Sequence, residues 1–569
     1  MHRTLRTFLP AIAILLLLAS CQSLPKHARY IPKDALVVLG VHTGEMQKAL
    51  AWSAITGSSL LDEMRKAGGE KAPAMLKDAE NAGIDFRSTL YFYSKPDTRF
   101  SNEARMAAVL PVSDAKKVTA YIQKHAPDAV IRTVKDRSEV MIDGKAYIGW
   151  NDEVLIAMNT IVQKTAQNPA PPDATSPDQE PAAPVYAEPV VDAAATAMEM
   201  DAAFNPAKDA GMTDNSRFKE LENNGHDITM WLAYDALMDA YSGKSGMGMM
   251  GFGMGNALWK GSAMAAGFDF EKGRFDGEMR YYASDSMQSV AKEFGSKNVD
   301  ADMLRRLPAA GLNFAAGYHL APKAIRMVLD KMGMTGMANL ALMQKGMSID
   351  DILGAFTGDM VVSLNNFRVE TKLQEIDSVT QKEYGLTPAP VSSPEMDFVY
   401  AMKIADKAKM TKLLDFITSS AMLQQTAPGV YSLPNTADGP TLVVGDKYLA
   451  ISKQAPWAQA FLKESPGTMP EAVKKEIDGH PLGMWADVQS FMAGAGQSPR
   501  KNPSDSAAFH AVRNLFTTFT GHGGEYKGNA SVYHMSLGFV NKDENSLVQL
   551  LHLAQQLAAS NNRQEVAQR

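Results

Sequence analysis

Cysteine is all but absent from this chain, with one residue, Cys21, in 569. That scarcity excludes a disulfide framework, a cysteine-ligated zinc or iron–sulfur site and Cys-x-x-Cys redox chemistry. Histidine is sparse as well, at 11 residues. There is no His-Glu-x-x-His, and no histidine pair at zinc-ligand spacing has a third ligand nearby. No metal and no cofactor is therefore expected. The net charge is −6 with both signs dispersed, which gives no basic surface for nucleic acid. Gly-x-Ser-x-Gly is missing. Ser113-Asp-Ala-Lys116 matches Ser-x-x-Lys but lacks its Ser-Asp-Asn and Lys-Thr-Gly companions. No carboxylate pair stands out for acid–base work, so the chain reads as a non-enzyme. What is present is ample apolar content, 45% of residues, and a length that calls for more than one domain.

The N-terminus carries the clearest signal. Arg3 and Arg6 precede an apolar stretch from Phe8 to Ala19, followed by Leu18-Ala19-Ser20-Cys21. About a dozen apolar residues are too few to span a bilayer, so residues 1–20 read as a signal peptide. The small residues before the single cysteine resemble the lipobox of bacterial lipoproteins. The resemblance implies cleavage between Ser20 and Cys21, a lipid on the Cys21 thiol and palmitate on the new amino group. Two or more acyl chains anchor a protein stably where one does not. Residues 21–29 then form a tether. Loss of Arg3 and Arg6 leaves the mature chain at net −8, unsuited to electrostatic adsorption on a membrane. By analogy with sorting in enteric bacteria, Gln22 in place of Asp favours the outer membrane. The periplasmic face is expected, with the cell surface as the alternative.

Two stretches run through the same series of elements. Ile31-Pro-Lys-Asp-Ala-Leu-Val-Val-Leu-Gly-Val41 corresponds to Leu307-Pro-Ala-Ala-Gly-Leu-Asn-Phe-Ala-Ala-Gly317, each predicting a strand and then a helix. Asp114 and Asp406 each stand where a strand ends and a helix begins, as N-caps should. Asp143-Gly144 and Asp438-Gly439 are turn pairs. Gly225-His226 before Met230-Trp231 matches Gly479-His480 before Met484-Trp485, and Lys272-Gly273 matches Lys527-Gly528. Such recurrence in a repeated fold is more simply explained by packing or capping than by catalysis. Hairpin turns and alternating stretches predict an α+β fold: two tandem copies of an antiparallel sheet with helices packed on one face. The copies are placed at residues 30–297 and 305–569. The Pro-, Ala- and acid-rich tract 168–212 is read as an insertion in the first, disordered or loosely helical. Thr371 to Glu395 is read as an enlarged connection in the second.

With its lipoprotein cysteine and the run Tyr30-Ile-Pro-Lys-Asp-Ala35 leading into a strand and helix, the chain resembles a family of large bacterial envelope lipoproteins catalogued as a domain of unknown function. The resemblance implies lineage and supplies no catalytic residues.

The run Gly243-Lys-Ser-Gly-Met-Gly-Met-Met-Gly-Phe-Gly-Met-Gly255 is the most unusual local feature. It contains Gly-x-Gly-x-x-Gly, but a dinucleotide loop needs a strand before it and a helix after it, and the preceding Tyr234 to Tyr241 reads as helix. A mobile loop is the simplest reading. As a functional element it would be an apolar contact loop for lipid or a partner, through Met247, Met249, Met250, Phe252 and Met254. Clustered thioethers also suit Cu(I). The six tryptophans serve either a core or a glycan platform, and their matching across the repeats favours the core.

The function expected is thus a lipid-anchored envelope protein that binds a protein partner, a lipid or a glycan. A periplasmic hydrolase and a surface glycan-binding lipoprotein are the alternatives. Labelled palmitate should enter the wild-type protein and not the Cys21→Ala variant; labelling that survives the substitution would remove the anchor.

Overall fold

The computed structural model describes residues 24–57, 71–96, 103–144, 146–162, 190–207, 209–242, 258–373, 390–434, 439–463, 469–496 and 503–568. The chain divides into two compact units, the second beginning at Phe270 and also taking in the described residues 258–262. The strand Arg274–Tyr282, given above to the first copy, thus belongs to the second unit. Each unit is α+β, and every strand pairing described below is antiparallel.

The strands of the first unit are β1 (Val37–His42), β2 (Thr89–Pro96), β3 (Glu103–Pro111), β4 (Arg132–Val134), β5 (Arg137–Ile142), β6 (Ala146–Trp150), β7 (Val154–Val162), β8 (Val190–Val191), β9 (Ile228–Leu232) and β10 (Ala263–Glu271). They pair in the order β10-β9-β1-β2-β3-β7-β6-β5-β4. β8 adds to the far end of β7. Burial alternates along β1, as a half-covered strand requires. A core of Ala82, Ile84, Val118, Ile122, Val140, Trp150 and Leu155 joins this sheet to the helix Ala115–His125.

The second unit holds β11 (Arg274–Tyr282), β12 (Leu312–His319), β13 (Phe356–Leu373), β14 (Pro390–Ile404), β15 (Gln424–Ala427), β16 (Val430–Ser432), β17 (Thr441–Val444), β18 (Tyr448–Ser452), β19 (Leu482–Asp487), β20 (Phe516–Lys527) and β21 (Ala530–Phe539). Their order is β11-β21-β20-β19-β12-β13-β14-β18-β17-β16-β15. The main core sets Ala315, Val361, Val399, Ala401 and Ala450 of the strands against Leu304, Phe461, Val473 and Ile477 of three helices. Glycine makes one approach possible: a Cβ on Gly483 of β19 would collide with the Glu476 carbonyl and Ile477 of the helix Glu471–Ile477.

The local signals act as their chemistry demands. Asp114 accepts from the Lys116 and Lys117 N–H groups, and Asp406 accepts from those of Ala408 and Lys409. Gly528 and Asn529 both take positive φ in the two-residue turn joining β20 to β21.

Two expectations need correction. The tract 168–212 is not uniformly loose. Its helix Ala193–Phe204 is N-capped by Asp192, and Met200 and Phe204 press on Gly149 of β6, where a Cβ would lie 3.0 and 2.9 Å away. Met200 and Met212 are fully buried. Apolar surface found by a neighbouring sheet overrides the low-complexity composition. Of the stretch 371–395, read as a connection, residues 371–373 and 390–395 instead prolong the β13–β14 ladder, out to Leu373 opposite Pro390.

Met200→Ala should cost about 2–5 kcal/mol, as core truncations do, measured by urea unfolding. Limited proteolysis should cut within 168–189 and spare 193–204; early cleavage inside 193–204 would contradict its packing.

Candidate functional site

The second unit has a half-open cavity of about 470 Å³ where several strands end. That is within the size range of small-molecule sites, about 300–1,000 Å³. β12 contributes Tyr318 and His319, β19 contributes Leu482, and β21 contributes Ser531 and Tyr533. The helices Gln288–Phe294 and Pro322–Lys331 close it with Ala291, Phe294 and Val328, and Trp259 completes the wall. The lining is overwhelmingly apolar and aromatic.

His319 is the exception in that wall. Register places it opposite Asp359 of β13, with Nδ1 2.9 Å from Asp359 Oδ1. The His319 side chain is 3% exposed and that of Asp359 11%. The other Asp359 oxygen accepts from the Thr357 hydroxyl at 2.8 Å. Burial opposes the charge on Asp359, but the hydrogen bonds from His319 and Thr357 outweigh it and hold the carboxyl below its ordinary range. A charged carboxylate only accepts, so Nδ1 carries the hydrogen.

In the first unit, His42 ends β1 as His319 ends β12, and each lies two residues beyond a glycine, Gly40 and Gly317. Its surroundings are closed. His42 Nδ1 lies 3.0 Å from the Thr89 hydroxyl, and Nε2 lies 3.6 Å from Glu222, buried and beyond hydrogen-bond reach of it. The Glu222 side chain, 1% exposed, accepts from the hydroxyls of Tyr91 and Thr229. Burial first, then the Glu222 carboxylate, pushes the Tyr91 hydroxyl far above the usual phenol range. The first unit also has a more open apolar concavity on its sheet, lined by Leu39, Phe92 and Met106 among others. Phe92 and Met106 are 41% and 52% exposed.

The other residues singled out from sequence disperse. Ser20, Cys21, Met247, Met249, Met250, Phe252 and Met254 lie outside the described residues. His226 pairs with Asp269, and His480 with Glu525. His480 stacks on His522 at 4.2 Å, and His534 lies 5.3 Å beyond. Among the described residues, no group of three or more His, Cys, Asp or Glu is placed to hold a metal. Trp150 and Trp231 are buried; Trp457 and Trp485 pack on the core. Ser113 and Lys116 are exposed at a helix start. His42 and His319 escaped the sequence reading, although Gly40-Val-His42 and Gly317-Tyr-His319 repeat the same spacing.

No protein-family model matches the chain, and no curated protein does. Two solved chains are similar to parts of it. "Structure of crystal form I of TP0453" aligns over 47% of this chain and 81% of its own, at 7% identity and TM-score 0.24. "Structure of crystal form III of TP0453" aligns over 48% and 88%, at 8% identity and TM-score 0.23. These values are too low to carry a shared fold or function.

Asp359 gives the site a pH signature. A carboxyl depressed in the folded state stabilises above its unfolded pKa of about 3.9, and that contribution is lost as pH falls through the lower folded value. The difference in urea midpoint between wild type and Asp359→Ala should therefore be constant at neutral pH and shrink below about pH 4. A gap independent of pH would contradict the charged pair.

Proposed function

We propose that this protein is a lipid-anchored component of the bacterial envelope that works by binding an apolar small molecule in the cavity of its second unit, not by catalysis. The observation that carries the reading is the cavity itself, walled by aromatic and aliphatic side chains from elements that run from Trp259 to Tyr533. Binding energy there would come from apolar area removed from water. Neither a protein nor a glycan partner is favoured by a comparable feature among the described residues, and no observation favours a hydrolase.

The anchor is the triacylated Cys21 suggested by the N-terminus, with outer-membrane delivery and a periplasmic body. Among the described residues no helix is long and apolar enough to cross a membrane, and the anchor needs none. The resemblance to envelope lipoproteins of a domain of unknown function accords with this address.

We further propose that the body is one fold used twice. The order β10-β9-β1-β2-β3-β7-β6-β5-β4 has the same connectivity as β20-β19-β12-β13-β14-β18-β17-β16-β15. Register supports the match: Trp231 faces Val38 and Trp485 faces Ala315, each two residues before the strand glycine.

Diphenylhexatriene, an uncharged apolar fluorophore, should bind saturably at one site per chain. Ala291→Trp, which fills the cavity, should weaken that binding at least about tenfold, or about 1.4 kcal/mol. Equal binding by both proteins, or none by wild type, would defeat the reading.

A further inference from the structure

The cavity holds one polar atom that the protein leaves without a partner. His319 is buried, and its Nδ1 is committed to Asp359. No hydrogen bond reaches its Nε2 among the described residues, yet the residue lines the cavity. The other polar groups of this wall whose partners are described are occupied. The Tyr318 hydroxyl meets that of Tyr400 at 3.4 Å, and the Ser531 and Tyr533 hydroxyls are bonded to each other. The His319 ring cannot swap its two nitrogens freely, because the carboxylate behind it has both oxygens engaged and accepts only. In the neutral ring Nε2 is therefore an acceptor without a protein partner, on a residue that lines the apolar cavity. A ligand group able to donate to it supplies the partner that the protein does not.

Resting on the proposed binding function, we infer that the ligand of this cavity is a single-chain carboxylic acid, with its chain in the apolar space and its carboxyl group on His319 Nε2. A carboxyl group is matched wherever the shared proton sits. As the neutral acid, its O–H donates to Nε2. If the proton moves from that oxygen to Nε2, the carboxylate accepts from the imidazolium, and Asp359 balances the ring charge. Within the pair no proton is gained or lost; a ligand that arrives as the carboxylate brings in one proton from solvent. An alcohol satisfies only the neutral ring. An ester has no hydrogen to give and leaves the neutral ring unpaired, and a hydrocarbon offers nothing in either state. The affinity order follows as acid, then alcohol, then ester, then hydrocarbon, at equal chain length.

The test is displacement of diphenylhexatriene from the full-length protein by palmitic acid, hexadecanol, methyl palmitate and hexadecane, each below its aggregation limit. Palmitic acid should compete at least about tenfold better than methyl palmitate. His319→Leu should erase that preference while hexadecane competes as before, which also shows that the cavity has kept its shape. Asp359→Asn supplies a second arm. An asparagine N–H can donate to Nδ1, which moves the ring hydrogen to Nε2 and makes it a donor, so methyl palmitate should gain on palmitic acid. If diphenylhexatriene itself does not bind, the binding function fails; if it binds and none of the four displaces it, the assignment to a carboxylic acid is wrong. If all four compete equally, or if neither substitution alters their order, the cavity binds apolar molecules but the assignment to a carboxylic acid is wrong.

Discussion

The register of β12 is the constraint on which the second unit depends. This strand is hydrogen-bonded on both sides, to β13 and to β19, and its burial alternates residue by residue. Its helix-facing positions are small for a reason. Ala315 is fully buried, and a Cβ on Gly317 would lie 2.8 Å from Ile477 and 2.9 Å from Val299. Nothing larger fits beneath those helices. A slip of one residue would bring Phe314 and Tyr318 into that space and turn His319 away from Asp359. The same packing that pins the strand thus sets the one ionisable pair at the cavity wall.

The two units treat the end of their central strand differently. In the first, the histidine closes onto a buried network in which Tyr91 and Thr229 satisfy Glu222. In the second, a carboxylate sits directly across the strand pair, the histidine lines the cavity, and no hydrogen bond reaches its Nε2 among the described residues. In both units Nε2 of this histidine has no hydrogen-bond partner among the described residues, but in the first it faces the Glu222 carboxylate and in the second the residue lines a cavity. A buried carboxylate needs several donors in fixed places, so the closed arrangement favours rigidity. An apolar cavity with one directed polar atom favours recognition.

Much of this architecture was legible in the residues. Asp114 and Asp406 cap their helices because an aspartate side chain satisfies exposed N–H groups wherever a strand hands over to a helix. The recurring Gly-His before Met-Trp marks the same strand start in both units. What was not legible is tertiary in origin. His42 and His319 are polar residues on a buried face, so apolar periodicity stops just short of them. The helix Ala193–Phe204 is apolar on more than one side, and only the bare backbone at Gly149 shows which side is covered. The cavity is assembled from residues between Trp259 and Tyr533 that share no local pattern.

The most direct test of the account is a crystal structure of the mature chain saturated with palmitic acid. The account predicts continuous elongated density in the cavity beneath Ala291 and Val328, ending in a carboxyl oxygen about 2.6–3.0 Å from His319 Nε2. A cavity that is empty or filled only by water in those crystals, or a chain bound with its carboxyl group turned away from His319, would contradict it.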